Sequence, residues 1–205
     1  MTRRIEFWFD MSSNYSYVSS MRIEAAAARA GVGVAWLPFL LGPIFAELGW
    51  STSPFVLQKA KGAYVWRDMQ RQCAKHGIAF RRPSDFPRKA TLPMRIAAAH
   101  ADEAWMPAFC QAVMAENFAH DRAMDDEALC TGLLGGLGAD AATVLAQSAS
   151  PEGRAALRRN TEQAQGRGIF GAPTFFVGAE MFWGDDRLDD ALAWAARREF
   201  GEGES

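Results

Sequence analysis

The stretch Gly168 to Leu188, GIFGAPTFFVGAEMFWGDDRL, constrains the fold of this chain more than any other. Thr174-Phe-Phe-Val, Gly178-Ala-Glu and Met181-Phe-Trp read as a β-hairpin with a short Gly-containing connection. Pro173 stands directly before the hairpin. Proline has no N–H, so it is excluded from the interior of a central strand and suits a strand's first residue. A cis Ala172–Pro173 bond is expected there, turning the backbone edge of Ala172 towards an open site. Gly184-Asp-Asp-Arg then opens a helix. At a helix start the carboxylates of Asp185 and Asp186 can cap free amides or grip a cationic ligand group. A hairpin followed by a well-capped helix accounts for the same residues without any site.

At the other end, Ile5 to Asp10 is mostly apolar and reads as a buried strand. Met11-Ser-Ser-Asn follows, then an alanine-rich helix from Tyr15 to Ala30 that stops at Gly31, then a strand from Val32 to Leu37. This β-loop-α-β order implies a parallel pair with a helical crossover. Ser12 and Ser13 therefore fall between a strand end and a helix start, where open α/β sheets bind ligands and where amides favour an anion. Ser13 suits an N-cap, or a donor to a bound anion. A nucleophilic serine would need a histidine base. None is near in sequence, and there is no G-x-S-x-G elbow.

The middle, from about Gly42 to Gly166, is helical in pattern. Helices are expected at Pro54–His76, Pro93–Ala101, Asp102–His120, Asp125–Leu134, Asp140–Ser148 and Pro151–Arg167, with a Pro- and Arg-bearing loop from Phe80 to Pro93. A last helix, about Asp186 to Glu199, leads to a short polar tail. No internal repeat is evident. The fold class is α/β: a βαβ…ββα core interrupted by a large all-helical insertion. The division expected is 1–42 plus 167–205 for the core and 43–166 for the insertion.

Composition narrows the function. A net charge of −2 with no long run of one sign argues against nucleic acid. The most apolar stretch, Ala35 to Ala46, is short and broken by Pro38 and Pro43, so it cannot span a bilayer. No signal peptide is read at MTRRIEFWFD, and a cytoplasmic protein is expected. Cys73, Cys110 and Cys130 are widely spaced and form no C-x-x-C, which suits buried, reduced thiols. His76, His100 and His120 lack metal-ligand spacing, so no metal is expected.

The element order, with a proline opening the hairpin, looks like the thioredoxin fold. The segment FDMSSNYSYVSS resembles the opening motif FD-x-x-S-P-x-S-Y of the 2-hydroxychromene-2-carboxylate isomerase family, and GIFGAPTFFVGAEMFWGDDRL resembles its closing motif. Lys61-Gly-Ala-Tyr-Val-Trp-Arg-Asp-Met-Gln-Arg and FRRPSDFPRKATLPMRIA also look like family segments, so the resemblance covers nearly the whole chain. Kappa-class glutathione transferases and bacterial disulfide oxidoreductases share this interrupted architecture.

The resemblance implies a glutathione cofactor and a homodimer. Ser13 matches the serine that touches the glutathione sulfur. Ala172, before Pro173, matches the residue whose backbone pairs with the cysteinyl unit. Trp183, Gly184, Asp185 and Asp186 match the segment that holds the γ-glutamyl end. Asn14 replaces the usual proline, and Ser53 replaces the asparagine that touches the organic substrate. Phe86 and Trp66 are candidates for an apolar pocket wall, and Lys59, Lys61 or Arg88 for holding a substrate carboxylate. The implied reaction interconverts a 2-hydroxychromene-2-carboxylate and a trans-o-hydroxybenzylidenepyruvate by reversible thiolate addition, in aromatic degradation. A kappa-type transferase or peroxidase and a non-catalytic binding protein are the alternatives. The loop SSNYS has no cysteine, which disfavours a dithiol oxidoreductase.

Overall fold

Ile5, Phe7 and Phe9 alternate with Trp8, and every one of these four side chains is fully buried. A strand apolar on both faces must lie inside a sheet covered on both sides. The computed structural model, which describes residues 3–197, shows that arrangement. Four strands, β1 (Arg4–Phe9), β2 (Gly33–Pro38), β3 (Thr174–Val177) and β4 (Glu180–Trp183), form one sheet in the order β2-β1-β3-β4. β1 pairs with β2 in parallel and with β3 antiparallel, and β3 and β4 form the hairpin.

The crossover between β1 and β2 is α1 (Asn14–Ala30). Gly31 ends it at φ 66°, and its N–H closes on the carbonyls of Ala27 and Ala28, a left-handed cap that glycine adopts without steric cost. On the α1 side of the sheet, Phe7 stacks on Phe9 and Phe175 at centroid distances of 4.9 and 5.5 Å. On the other side Trp8 packs with Phe39, Ile44, Ala164 and Phe176.

Between the two halves of the sheet lie α2 (Leu41–Glu47), α3 (Pro54–Leu57), α4 (Lys59–His76), α5 (Thr91–Ala99), α6 (Met106–Phe118), α7 (Glu127–Gly136), α8 (Ala141–Ala149) and α9 (Pro151–Gly166). Asp126, Asp140 and Ser150 each cap the helix that follows by accepting its amide. One apolar core runs from the sheet through α1 into these helices, from Phe7 and Tyr17 to Phe118 and Leu134.

The helix expected over Pro54–His76 is two helices. Gln58 breaks it at φ −106°, ψ 89°, so that α3 folds against α4 where Gly62 leaves room for the Phe55 carbonyl. After the hairpin, a 3-10 turn (Asp185–Arg187) leads into α10 (Leu188–Arg197). The end of the expected final helix, Arg198 and Glu199, and the polar tail lie outside the described residues.

Candidate active site

The site grows from the turn that follows β1. Asp10 is buried, and its carboxylate accepts the Ser12 N–H at 2.8 Å and the Leu41 N–H at 2.9 Å. It therefore joins this turn to the start of α2. Burial pushes the Asp10 carboxyl above its ordinary range, against the opposing pull of both N–H donors. Ser12 donates its hydroxyl to the Arg88 carbonyl at 2.7 Å.

Ser13 is the N-cap of α1. Its Oγ accepts the Ser16 N–H at 3.2 Å and donates to the Ala172 carbonyl at 3.0 Å, across 159 residues of chain. The Ala172–Pro173 bond is cis. The Pro173 carbonyl accepts the Gly184 N–H at 2.9 Å, which seats the end of the hairpin beside the Ser13 turn. Asn14 is buried, and its Nδ2 finds no hydrogen-bond partner among the described residues.

The segment after the hairpin behaves differently from the sequence expectation. Gly184 is the N-cap of the turn, and neither aspartate side chain caps the helix start. Asp185 is buried instead. It accepts the Ser19 hydroxyl at 2.7 Å and faces Arg22 at 3.4 Å, and burial raises its carboxyl against both partners. Asp186 points outward, with a side chain 74% exposed and paired with Arg187 at 2.9 Å. Gly184 has φ 108°, and a Cβ there would lie 2.6 Å from Asp186 Oδ1. The absence of a side chain at Gly184 lets that carboxylate fold back over the backbone. Trp183 is exposed, edge-on to Phe170 at 4.9 Å.

These residues line one cavity of about 910 Å³. Ser13, Ala172, Pro173, Trp183, Gly184, Asp185 and Asp186 share it with Ser53 and Phe86 from the insertion. Ser53 is buried and caps α3 by accepting the Phe55 N–H at 3.2 Å. Phe86 stands edge-on to Trp66 at 4.8 Å, so Trp66 backs the wall and does not line the cavity.

Of the three cations named from sequence, Lys59 is not part of the lining. Arg88 lines the cavity, and its two terminal nitrogens are engaged by Asp121, Ser84, Asn117 and the Arg122 carbonyl. Lys61 lines the cavity and lies 5.8 Å over the Phe55 ring.

Sequence reasoning missed Asp10, Tyr15 and Asp68. The Tyr15 hydroxyl donates to Asp68 at 2.7 Å, and burial together with that carboxylate raises the phenol. The signal for Asp68 lay in spacing. Lys61, Tyr64, Asp68 and Gln72 recur at helical intervals and all line the cavity from one face of α4. Cys73, Cys110 and Cys130 are buried and do not line it, and burial pushes the thiols of Cys73 and Cys130 up to about 12. Among the described residues no cluster of His, Cys, Asp and Glu could hold a metal, and no helix is long and apolar enough to cross a membrane.

Comparison with known proteins gives relatives for this geometry. A curated 2-hydroxychromene-2-carboxylate isomerase of Sphingobium xenophagum is 29% identical over 191 residues, covering 92% of this chain and 96% of that protein. A solved 2-hydroxychromene-2-carboxylate isomerase superposes with a TM-score of 0.85 at 25% identity, covering 95% of both chains. A probable DsbA oxidoreductase of Streptomyces coelicolor superposes at 0.72 with 26% identity, covering 98% of this chain and 93% of that one. The family model for the DSBA-like thioredoxin domain matches residues 4–193. With that match over nearly its whole length, and the sheet and helices described above, the chain belongs to the DSBA-like thioredoxin domain family.

Proposed function

We propose that this protein is a glutathione-dependent isomerase interconverting a 2-hydroxychromene-2-carboxylate and a trans-o-hydroxybenzylidenepyruvate in aromatic compound degradation. The observation that carries the reading is the Ser13 hydroxyl bonded to the Ala172 carbonyl in a cavity with no cysteine in its lining. A thioredoxin-type site without its own thiol calls for one brought by a small molecule. The relatives named as isomerases support the same reading.

The residues present fit glutathione. A hydroxyl, a backbone edge, carboxylates and a lysine line a cavity large enough for a tripeptide beside an aromatic carboxylate. Asp68 and Asp186 suit an ammonium, and Lys61 suits a carboxylate. Glutathione would supply the thiolate for reversible addition to the conjugated substrate.

What the chain does is hold charge and geometry. A serine hydroxyl has one proton, and Ala172 holds it here. Turning that proton to a bound thiolate frees the Ala172 carbonyl, which can then accept an N–H from the ligand's peptide. One internal bond is exchanged for two external ones. The amides at the start of α1 add a favourable field for the anion. Ser53 and Phe86 shape the wall against which the organic substrate lies. Turnover regenerates the thiol, so free thiol titrated before and after conversion should be equal. Net loss of thiol would identify a transferase or peroxidase, and glutathione binding without conversion would identify a binding protein.

A cytoplasmic homodimer is part of the same proposal. Leu48, at the end of α2, and Val56 and Leu57 on α3 are exposed apolar side chains that a second subunit would cover. Sedimentation equilibrium showing a monomer at micromolar concentration would remove that part.

A further inference from the structure

Arg88 sits on the loop between α4 and α5, and both terminal nitrogens of its guanidinium are engaged within the protein. Nη1 donates to Asn117 Oδ1 at 3.1 Å and to the Arg122 carbonyl at 3.0 Å. Nη2 donates to Ser84 Oγ at 3.0 Å and to Asp121 Oδ1 at 2.5 Å. The two side chains of the ion pair are only 11% and 15% exposed.

Asp121 itself is built for this contact. It holds φ 57°, a left-handed conformation that aspartate tolerates better than most residues. Its Oδ1 also accepts the Ser84 N–H at 2.8 Å and the Ser84 hydroxyl at 3.0 Å. The neighbouring Lys89 pairs with Asp125 at 2.8 Å, and Asp125 accepts the Leu92 N–H at 2.6 Å. Residues 84–92 are thus fixed to the α6–α7 turn at many points. The main chain of this fixed loop receives the active-site turn, because Arg88 O accepts the Ser12 hydroxyl, and the α5 helix that follows adds Met94 Sδ against the Met11 N–H at 3.5 Å.

We infer that Arg88 is a positioning residue: its lock on the α6–α7 turn holds the carbonyl that anchors Ser12, and so sets where Ser13 presents its hydroxyl. The helical insertion thereby controls a residue just beyond the end of a central strand. Lysine cannot replace this arginine, since one ammonium cannot reach four acceptors arranged around a planar fork.

The structural half of the inference stands alone, whereas its consequence for catalysis rests on the glutathione reading. The test uses the full chain as wild type, Arg88→Lys, Asp121→Asn, Ser12→Ala, and Ser12→Ala combined with Arg88→Lys. Amide hydrogen exchange is followed at residues 11–13, 84–92 and 174–177. Loss of a charge-assisted hydrogen bond from the lock should speed exchange about tenfold at both 84–92 and 11–13, leaving the hairpin strand unchanged.

The pKa of glutathione bound to each protein, read from thiolate absorbance, should rise in Arg88→Lys. In the Ser12→Ala background Arg88→Lys should add nothing further. Asp121→Asn loosens the same lock and serves in place of Arg88→Lys should that variant not fold. Faster exchange confined to 84–92, or an equal rise in thiol pKa with and without Ser12, would overturn the inference. If no variant nor wild type binds glutathione, the proposed function fails, and the exchange pattern alone still decides the role of Arg88.

Discussion

Ser13 has one hydroxyl proton and two claimants for it, the Ala172 carbonyl in this structure and a thiolate in the proposed reaction. Ser13→Ala removes the donor and keeps the amides at the start of α1. A hydrogen bond to a charged group contributes about 1.5–3 kcal/mol. Turnover at neutral pH should therefore fall roughly ten- to a hundredfold. Raising the pH should recover part of the loss, because more thiol then ionises unaided. A pH–rate profile with a hydroxychromene carboxylate checks this, and superimposable profiles would leave Ser13 a plain N-cap.

Asp186 gives a second case at this scale. Its side chain is exposed and pairs only with Arg187 and its own backbone surroundings, so Asp186→Asn should leave the thermal midpoint nearly unchanged. Glutathione affinity should weaken roughly three- to tenfold, as removing one partly solvated charge contact does. Calorimetric titration reads both arms. The two aspartates were indistinguishable in the sequence because their roles separate only through distant partners. Ser19 and Arg22 draw Asp185 inward, and nothing in the motif GDDR announces them.

Among the elements, the sheet and its hairpin were legible because their signals are local: the apolar run of β1, Gly31 after α1, Pro173 before β3. The break at Gln58 was not. Its cause is a contact, the Phe55 carbonyl resting against Gly62 of the next helix. A Cβ at residue 62 would lie 2.1 Å from that oxygen, so α3 must shift away from α4 in Gly62→Ala. Overpacking of this kind costs about 1–3 kcal/mol, measurable by chemical denaturation. Because α3 is capped by Ser53, the same variant should raise KM for the organic substrate more than it weakens glutathione. Asp10 and Tyr15, missed at the site, are bonded to partners 31 and 53 positions away, and the carbonyl that holds Ser12 lies 76 positions away. Spacing along the chain carries no record of such pairings.

For the whole molecule, four carboxylates and one histidine set the response to acid, Asp10, Asp121, Asp140, Asp185 and His76. Burial raises Asp10 and Asp185 above their unfolded value, so each contributes stability that is full below the unfolded pKa and lost as pH rises through its folded value. Asp121 runs the other way. The Ser84 N–H and then Arg88 hold its carboxyl down to about 2, so its contribution is present above the unfolded pKa and lost as pH falls towards 2. The gain as Asp10 and Asp185 take up protons runs against a loss from His76, which burial and then Arg22 hold below the ordinary histidine range, so the thermal midpoint should stay nearly level on mild acidification before it declines towards pH 2 as Asp121 and Asp140 protonate. Scanning calorimetry across pH checks the shape, and Asp121→Asn should flatten the acid limb. The Ser13–Ala172 bond also has a meaning in time. Its two ends are separated by the entire insertion, and strands β1 and β3 meet only when that excursion has closed. Long-range closure of this kind comes late and slowly, while helices form from near neighbours. On dilution from denaturant, helical signal should return before the capacity to bind glutathione, and a nascent chain released before Ala172 would carry helices and no site.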